Sequence, residues 1–312
     1  MVLKQLGTAA GLAAGAAAAG LGYAYCEAHS YVLRTQVVPV LPAGAEPLTI
    51  LHLSDLHLTP RKLKEIEWVR SLADLRPDFV IDTGDNLAHV DALPALTRAL
   101  DPLLAFPGAF VLGSNDYFAP RLKSPTRYLL KDSRLPQLPE PKALPSAELT
   151  RALARRGWLD LSNARATTLV NGLKLDLVGV DDPHIDRDRM PPPRPATEVA
   201  LLGADVHIGV VHAPYTRVLN AMHEQNTDLI IAGHTHGGQL CVPGFGALVT
   251  NCDIDRSRAS GLHGWPSARP DEVGGEESSW LHVSAGLGTS PYTPFRFACR
   301  PEATLLTLVA RN

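Results

Sequence analysis

Three stretches decide the fold: residues 49–57 read TILHLSDLH, residues 79–86 read FVIDTGDN, and residues 109–116 read AFVLGSND. Each opens on a short apolar run and closes on polar residues with Gly or Ser. Such runs, bounded by turn formers, read as buried strands, here Thr49–Leu53, Phe79–Thr83 and Ala109–Leu112. Between the first two, Leu63–Leu75 places Leu63, Ile66, Trp68, Val69 and Leu72 at helical spacing and stops before Pro77. The residue ahead of a proline is pushed out of the helical region, which explains the stop. Leu93–Leu104 reads as a second helix. Strand, helix, strand, helix, strand calls for a parallel sheet covered by helices, so the expected class is α/β. Ligands of such sheets bind beyond the carboxyl ends of the strands, where all three stretches carry their polar residues.

The same alternation continues toward the C-terminus. Asn171-Gly172 separates Thr167–Val170 from Leu173–Val180 and is a two-residue hairpin turn. Strands are expected at Val206–Val211, Leu229–Ala232, Trp280–Ser284 and Ala303–Leu308, and helices at Ala147–Arg156 and Tyr215–Glu224. Residues 118–146 are Pro-rich and basic (Arg121, Lys123, Arg127, Lys131, Arg134) and read as an excursion from the core. That excursion is either a solvated surface or a face for anionic groups.

The 312 residues are 45% hydrophobic and 20% charged, which allows a sizeable core and excludes a disordered, collagen-like or multi-pass membrane chain. A net charge of −3 excludes a dedicated nucleic-acid binder, which needs a basic surplus. Cys26, Cys241, Cys252 and Cys299 are too few for a disulfide scaffold, and no C-x-x-C spacing marks a zinc knuckle. Cys241 and Cys252 either pair in an oxidising compartment or stay reduced. Residues 5–26 carry no charge. That length crosses a hydrocarbon core of ~30 Å at ~1.5 Å per residue. Residues 1–28 are therefore expected to be a membrane anchor, with a cleaved signal segment or a packed Ala-rich helix as alternatives. Lys4 ahead of the segment places the rest outside the cytoplasm. Residues 29–47, rich in Pro, Ala and Gly toward their end, are expected to be a linker, and residues 48–312 the folded domain.

Two more strand ends carry metal-ligand chemistry. His212 follows Val206–Val211, and Gly233-His234-Thr235-His236-Gly237-Gly238 follows Leu229–Ala232. Taken singly, Asp55-Leu56-His57, Gly84-Asp85-Asn86, Gly113-Ser114-Asn115-Asp116 and these two are ordinary turns or buried histidines. Their joint occurrence on neighbouring strands points to a metal. Carboxylate, imidazole and amide without thiolate suit divalent Mn, Fe or Zn. Asp55, His57, Asp85, Asn115, His212, His234 and His236 outnumber the ligands of one open site. They fit two divalent ions sharing a bridging carboxylate. Glycines beside them let the backbone turn sharply.

These blocks, in this order over residues 48–240, resemble the calcineurin-like metallophosphoesterase family. They are most similar to its membrane-associated bacterial branch, which carries Ser54-Asp55-Leu56-His57 and the Gly-His-Thr-His-Gly-Gly-Gln run ending at Gln239. The resemblance implies a layered α/β sandwich of two mixed β-sheets flanked by helices. It implies that Asp55, His57 and His236 hold one ion, that His212, His234 and an asparagine hold the other, and that Asp85 bridges them. It implies hydrolysis of a phosphomonoester or phosphodiester, in a small-molecule or lipid substrate, by a metal-bridging hydroxide attacking phosphorus in line.

The third block departs from the family pattern Gly-Asn-His-Asp or Gly-Asn-His-Glu, whose histidine aids leaving-group departure. Here it reads Gly113-Ser114-Asn115-Asp116. Asn115 is expected as the ligand if the loop has one residue of slack; without a gap Ser114 takes that position. Leaving-group protonation then falls to Asp116 or His89, or the substrate has a good leaving group. The missing histidine keeps a second reading open, a membrane-tethered metal-binding protein with little or no catalysis. His52, His207 and His282 alternate within strands and read as structural. Asp181-Asp182-Pro183-His184 reads as a capped loop or a substrate-facing rim.

Overall fold

Apolar strands that are buried on both faces need a layer on each side, and the chain supplies them with two sheets and two sets of helices. The computed structural model describes residues 2–122 and 141–311. Its strands, in chain order, are β1 (Val32–Leu41), β2 (Leu48–Leu53), β3 (Phe79–Asp82), β4 (Gly108–Phe110), β5 (Leu159–Asp160), β6 (Ala164–Val170), β7 (Leu173–Gly179), β8 (Val206–Val211), β9 (Leu229–Ala232), β10 (Cys241–Val242), β11 (Gly246–Ala247), β12 (Gly261–Trp265), β13 (Ser279–Val283) and β14 (Glu302–Ala310). The helices are α1 (Val2–Glu27), α2 (Leu63–Ser71), α3 (Leu93–Leu100), α4 (Ser114–Tyr117), α5 (Ser146–Ala154), α6 (Ala196–Leu202) and α7 (Thr216–His223).

One six-stranded sheet has the order β1-β14-β2-β3-β4-β5, and the other β12-β13-β9-β8-β7-β6. Both are mixed. In the first, β2 to β5 are parallel and β14 is antiparallel to β2. In the second, β13, β9, β8 and β7 are parallel, with antiparallel β12 and β6 at the edges. The period-2 alternation of a strand sorts the side chains into layers. Ile50, Phe79, Ile81 and Ala109 face Leu177, Ile208, Val210, Ile231 and Trp280 between the sheets. Leu51, Leu53, Val80 and Phe110 point the other way, onto Ile66 and Val69 of α2, Leu96 and Leu100 of α3, and Leu149 and Leu153 of α5. Val211, Ile230, Leu281 and Val283 pack on Val218, Leu219 and Met222 of α7. The fold is the layered α/β sandwich of two mixed sheets flanked by helices.

His52 and His282 share the inter-sheet face, and their Nδ1 atoms meet at 3.0 Å. The Asn171-Gly172 turn closes β6 onto β7 with both residues in the left-handed region (φ 50° and 84°), as that hairpin type requires.

Two expectations are corrected. Residues 32–41, assigned to a linker, form β1. Val38, Val40 and Leu41 are buried, and the strand runs parallel to β14 from Val32↔Glu302 to Pro39↔Val309. Pro39 is tolerated because β1 is an edge strand, where a missing N–H costs no ladder bond.

The second correction concerns the N-terminus. Among the described residues no helix is long and apolar enough to cross a membrane. This overturns the expected anchor and the membrane-associated placement drawn from it. α1 is dominated by Ala and Gly, which contribute little apolar surface, and its last turn is committed to the domain. Ala24 and Glu27 are buried, and the Glu27 carboxylate accepts the N–H groups of Cys299 at 2.7 Å and Ala298 at 3.1 Å. The Arg296 N–H donates to the Ala24 carbonyl at 3.0 Å. Of the basic excursion, Lys123, Arg127, Lys131 and Arg134 lie outside the described residues.

Candidate metal centre

Parallel strands all end at the same rim, so the polar residues that follow them converge. β2 delivers Asp55 and His57, β3 delivers Asp85, β4 delivers Gly113–Asp116, β8 delivers His212, and β9 delivers His234 and His236. The first three strands belong to one sheet and the last two to the other. The rim is stitched across: His212 donates from Nδ1 to the Thr83 carbonyl at 2.8 Å, and the His234 N–H donates to Asp55 Oδ2 at 2.9 Å.

Asp55 (φ 54°), His57 (44°), Asp85 (57°), His234 (69°) and His236 (50°) all occupy the left-handed backbone region. For non-glycine residues this conformation costs of order 1 kcal/mol each, and it clusters at functional sites. The glycines beside them share it, as expected, at Gly84 (φ 90°), Gly237 (61°) and Gly238 (87°), so ligand-type residues and glycines turn together. Gly113 and Gly233 serve close approach instead. A Cβ on Gly113 would lie 2.3 Å from Asp85 Oδ1, and one on Gly233 would lie 1.9 Å from Ser54 Oγ.

Two overlapping groups of donor atoms result, Asp55 with His57 and His236, and Asp55 with Asp85 and His212, each within 4.8 Å. Asp55 Oδ1 is 3.4 Å from His236 Nε2 and 3.9 Å from His57 Nε2. Asp85 turns one oxygen to each group, Oδ2 at 3.6 Å from His57 Nε2 and Oδ1 at 3.5 Å from His212 Nε2. His57 Nε2 and His236 Nε2 are 3.1 Å apart, and His234 Nδ1 and His212 Nε2 are 3.3 Å apart. Two donors each about 2.0–2.2 Å from one ion stand roughly 3–3.5 Å apart, which is this spacing. Asp55 Oδ1 and His57 Nδ1 are buried without a hydrogen-bond partner. A buried carboxylate oxygen left bare among imidazole nitrogens is the environment a cation completes.

The protonation states fit the same reading. Burial pushes the Asp55 carboxyl up, but the surrounding histidines, His236 first, outweigh it and hold it below the usual range. Burial also opposes ionisation of Asp85, and His212 overcomes it by charge and hydrogen bond. Burial drives His57 down, His234 to about 4 and His236 to about 3, so these rings are neutral near pH 7. Ionised carboxylates and neutral imidazoles are the forms that bind metal. Burial opposes protonation of His212, but Asp85 outweighs it and raises that ring well above its ordinary value, so His212 would give up a proton on binding an ion.

The third block is present but differently employed. Asn115 gives its main-chain N–H to Asp85 Oδ1 at 2.7 Å, while its side-chain Nδ2 donates to the Phe118 carbonyl at 3.0 Å. Asp116, expected as an acid and raised well above the usual carboxyl range by burial and by Asp85, braces the loops: Oδ2 accepts the N–H groups of Asp85 and Gly113, and Oδ1 accepts that of Asn86, each at 2.9 Å. All three N–H donors belong to the loops that carry the cluster, so its carboxylate organises them. His89 is not brought to the cluster. It is exposed, and its Nδ1 accepts the N–H of Asp91 at 3.1 Å.

Arg296 and Asp82, which the sequence reading passed over, complete the surroundings together with Asp182 and His184. Arg296 is fully buried and donates from Nη2 to the carbonyls of Ala285 (2.8 Å), Gly286 (3.0 Å) and Gly288 (2.8 Å), with His236 Nδ1 at 3.2 Å. Nothing local in RFACR marks it, because its partners come from the preceding loop and from β9's end. Asp182 and Asp82 are buried, each with an Oδ2 lacking a partner, and burial pushes both up to about 7. Asp182 was visible as part of an acidic strand end; Asp82 was hidden inside a strand. The His184 ring packs on His234 at 4.5 Å.

Comparisons with known proteins agree with this geometry. The chain is 25% identical to metallophosphoesterase YkuE of Bacillus subtilis, covering 96% of this chain and 94% of that one. It is 26% identical to phosphodiesterase YaeI of Escherichia coli, covering 94% of each. It is 27% identical to UDP-2,3-diacylglucosamine pyrophosphatase LpxG of Chlamydia trachomatis, covering 83% of each. The calcineurin-like phosphoesterase model matches residues 48–238, more than half of the chain and every strand end described above, and the chain is an enzyme of that family.

Proposed function

We propose that the chain hydrolyses phosphoester bonds at a centre of two divalent ions. Asp55, His57 and His236 hold one, His212 and His234 hold the other, and Asp85 lies between them. The observation that carries this reading is the meeting of two donor groups at Asp55, whose buried Oδ1 has no other partner. When bound, such ions act as Lewis acids toward the phosphoryl oxygens and lower the pKa of a coordinated water.

The chain's own residues prepare that chemistry. The N–H of Asn115 orients Asp85 Oδ1, and the absent side chain of Gly113 lets that carboxylate approach. The Thr83 carbonyl accepts a hydrogen bond from His212 Nδ1–H and leaves Nε2 facing the cluster. Fixing the second nitrogen in this way sets tautomer and ring orientation. With no histidine in the third block, the substrate is one whose leaving group needs little protonation. A pyrophosphate linkage fits that requirement because its leaving group is itself a phosphate, and the pyrophosphatase name of one relative supports it, while the phosphodiesterase name of another supports a diester. Ser114 and Asn115 are the two candidates for a further ligand.

The test is turnover of bis(p-nitrophenyl) phosphate and of p-nitrophenyl phosphate with added Mn²⁺. The diester is expected to be cleaved faster, and Asp85→Asn and His234→Ala are each expected to lose at least 100-fold. Full turnover in either variant overturns the assignment. Metal uptake without turnover of either substrate would favour the non-catalytic metal-binding reading.

A further inference from the structure

Behind the His236 loop lies a cavity of about 700 Å³, lined in part by Gly237, Cys241, Ala285, Cys299 and Arg300. The two cysteines are 58 positions apart in sequence, yet they flank one backbone segment. Leu240 and Phe297 form a parallel bridge, and the Cys241 N–H donates to the Phe297 carbonyl at 2.8 Å. This pairing brings residues 239–241 and 297–299 side by side. Cys241 Sγ donates to the Gly237 carbonyl at 3.1 Å, and Cys299 Sγ lies 3.6 Å from the same oxygen and 3.3 Å from the His236 carbonyl. Both sulfurs thus approach one carbonyl oxygen, that of Gly237, which makes them neighbours. Both residues are partly exposed and free. The pairing weighed from sequence, Cys241 with Cys252, is not formed, and it is Cys299 that shares the Gly237 carbonyl with Cys241.

We propose that Cys241 and Cys299 are an oxidisable pair whose disulfide loosens the loop bearing His236. The chemistry balances with a low-molecular-weight disulfide such as oxidised glutathione as oxidant. One protein thiolate attacks it and releases one glutathione thiol. The second protein thiol, losing its proton, displaces the other glutathione thiol and leaves a Cys241–Cys299 bond. Sulfurs that share one carbonyl oxygen have to close on each other to the ~2.0 Å of a disulfide, and the backbone bearing them has to follow. A disulfide has no S–H, so oxidation removes the donors that the His236 and Gly237 carbonyls now receive. Gly237 cannot absorb the movement freely. It sits at φ 61°, and a Cβ there would already lie 2.7 Å from Cys299 Sγ. The next residue back is His236, so the strain reaches the centre. The bond itself is independent of the function proposed above; its effect on metal rests on that reading.

The experiment oxidises the full chain with excess oxidised glutathione, maps disulfides by mass spectrometry of the unreduced digest, and measures Mn²⁺ affinity before and after. The expected result is a linked Cys241–Cys299 peptide and an affinity lowered at least fivefold, both reversed by dithiothreitol. Cys241→Ser, whose hydroxyl still reaches Gly237, is expected to give no linked peptide and no loss, while Cys252→Ser behaves as wild type. Absence of that linked peptide, its formation without change in Mn²⁺ affinity, or an equal loss in Cys241→Ser overturns the proposal. If the reduced protein takes up no Mn²⁺, the metal centre fails instead, and the linked peptide alone decides on the pair.

Discussion

Asp116 Oδ2 accepts the backbone N–H of Asp85 at 2.9 Å, so the third sequence block holds the second from beneath. The same carboxylate binds two further N–H groups, those of Gly113 and Asn86. Burial opposes ionisation of Asp116, so each bond is weighed as an ordinary hydrogen bond of about 0.5–1.5 kcal/mol, and its removal leaves buried N–H groups unsatisfied. Asp116→Ala is expected to lower the unfolding free energy by about 3 kcal/mol, read by urea denaturation. A loss under about 0.5 kcal/mol, as for an ordinary surface change, would contradict the bracing role.

Gly113 is a position where shape alone controls the site. Its φ of −111° suits any residue, so backbone strain is not at issue. An added Cβ would meet Asp85 Oδ1 at 2.3 Å and His212 Cε1 at 2.8 Å. Gly113→Ala is expected to lower Mn²⁺ affinity at least tenfold while far-ultraviolet circular dichroism stays native. An unchanged affinity would mean that Asp85 is not fixed where the structure has it.

Arg296 ties the loop of residues 285–288 to His236. Lysine cannot reproduce a planar group with several donors in fixed directions. Arg296→Lys is expected to lower the melting temperature by several degrees and to weaken metal binding, because three carbonyls lose donors and the His236 ring loses its backing. Calorimetry with and without Mn²⁺ separates the two effects. A variant with wild-type melting and metal uptake would remove Arg296 from the account.

The inter-sheet pair His52 and His282 makes stability depend on pH. Burial holds His282 at about 3 and His52 well below its ordinary value. Both rings titrate near 6.5 when unfolded. Below that pH the unfolded chain binds more protons than the folded one, so stability falls as pH drops from about 6.5 toward 3. Each such ring contributes about 1.4 kcal/mol per pH unit to the slope. His282→Asn, measured with Mn²⁺ present so that the cluster histidines stay occupied, is expected to flatten the slope between pH 6 and 4 by about that amount. An unchanged slope would contradict the burial of a neutral ring.

The site was readable from sequence because its residues sit at strand ends, where apolar periodicity stops and the polar residue is conspicuous. Asp55, Asp85, His212, His234 and His236 all follow that pattern. The hairpin at Asn171-Gly172 was equally local. What stayed hidden depends on partners distant in the chain. β1 looked like a linker because Pro39 and the Pro-Ala-Gly residues after it suggest flexibility, while its partner β14 lies more than 250 residues away. Arg296 and Asp116 are single residues whose roles exist only once loops from several strands meet. The N-terminal segment misled for a different reason: length and lack of charge suggested a span, but an Ala- and Gly-rich helix lacks the apolar surface for one. Its last turn finds its partners in Cys299 and Ala298 instead.

The central claim is that the cluster takes up two ions through Asp55, Asp85 and four histidines. Titration calorimetry of the metal-stripped chain with Mn²⁺, checked by elemental analysis, measures this directly. Two ions per wild-type chain are expected, with Asp85→Asn weakening both and His234→Ala leaving one. A wild-type chain that takes up one ion or none, or variants that still bind two with unchanged affinity, would contradict the account.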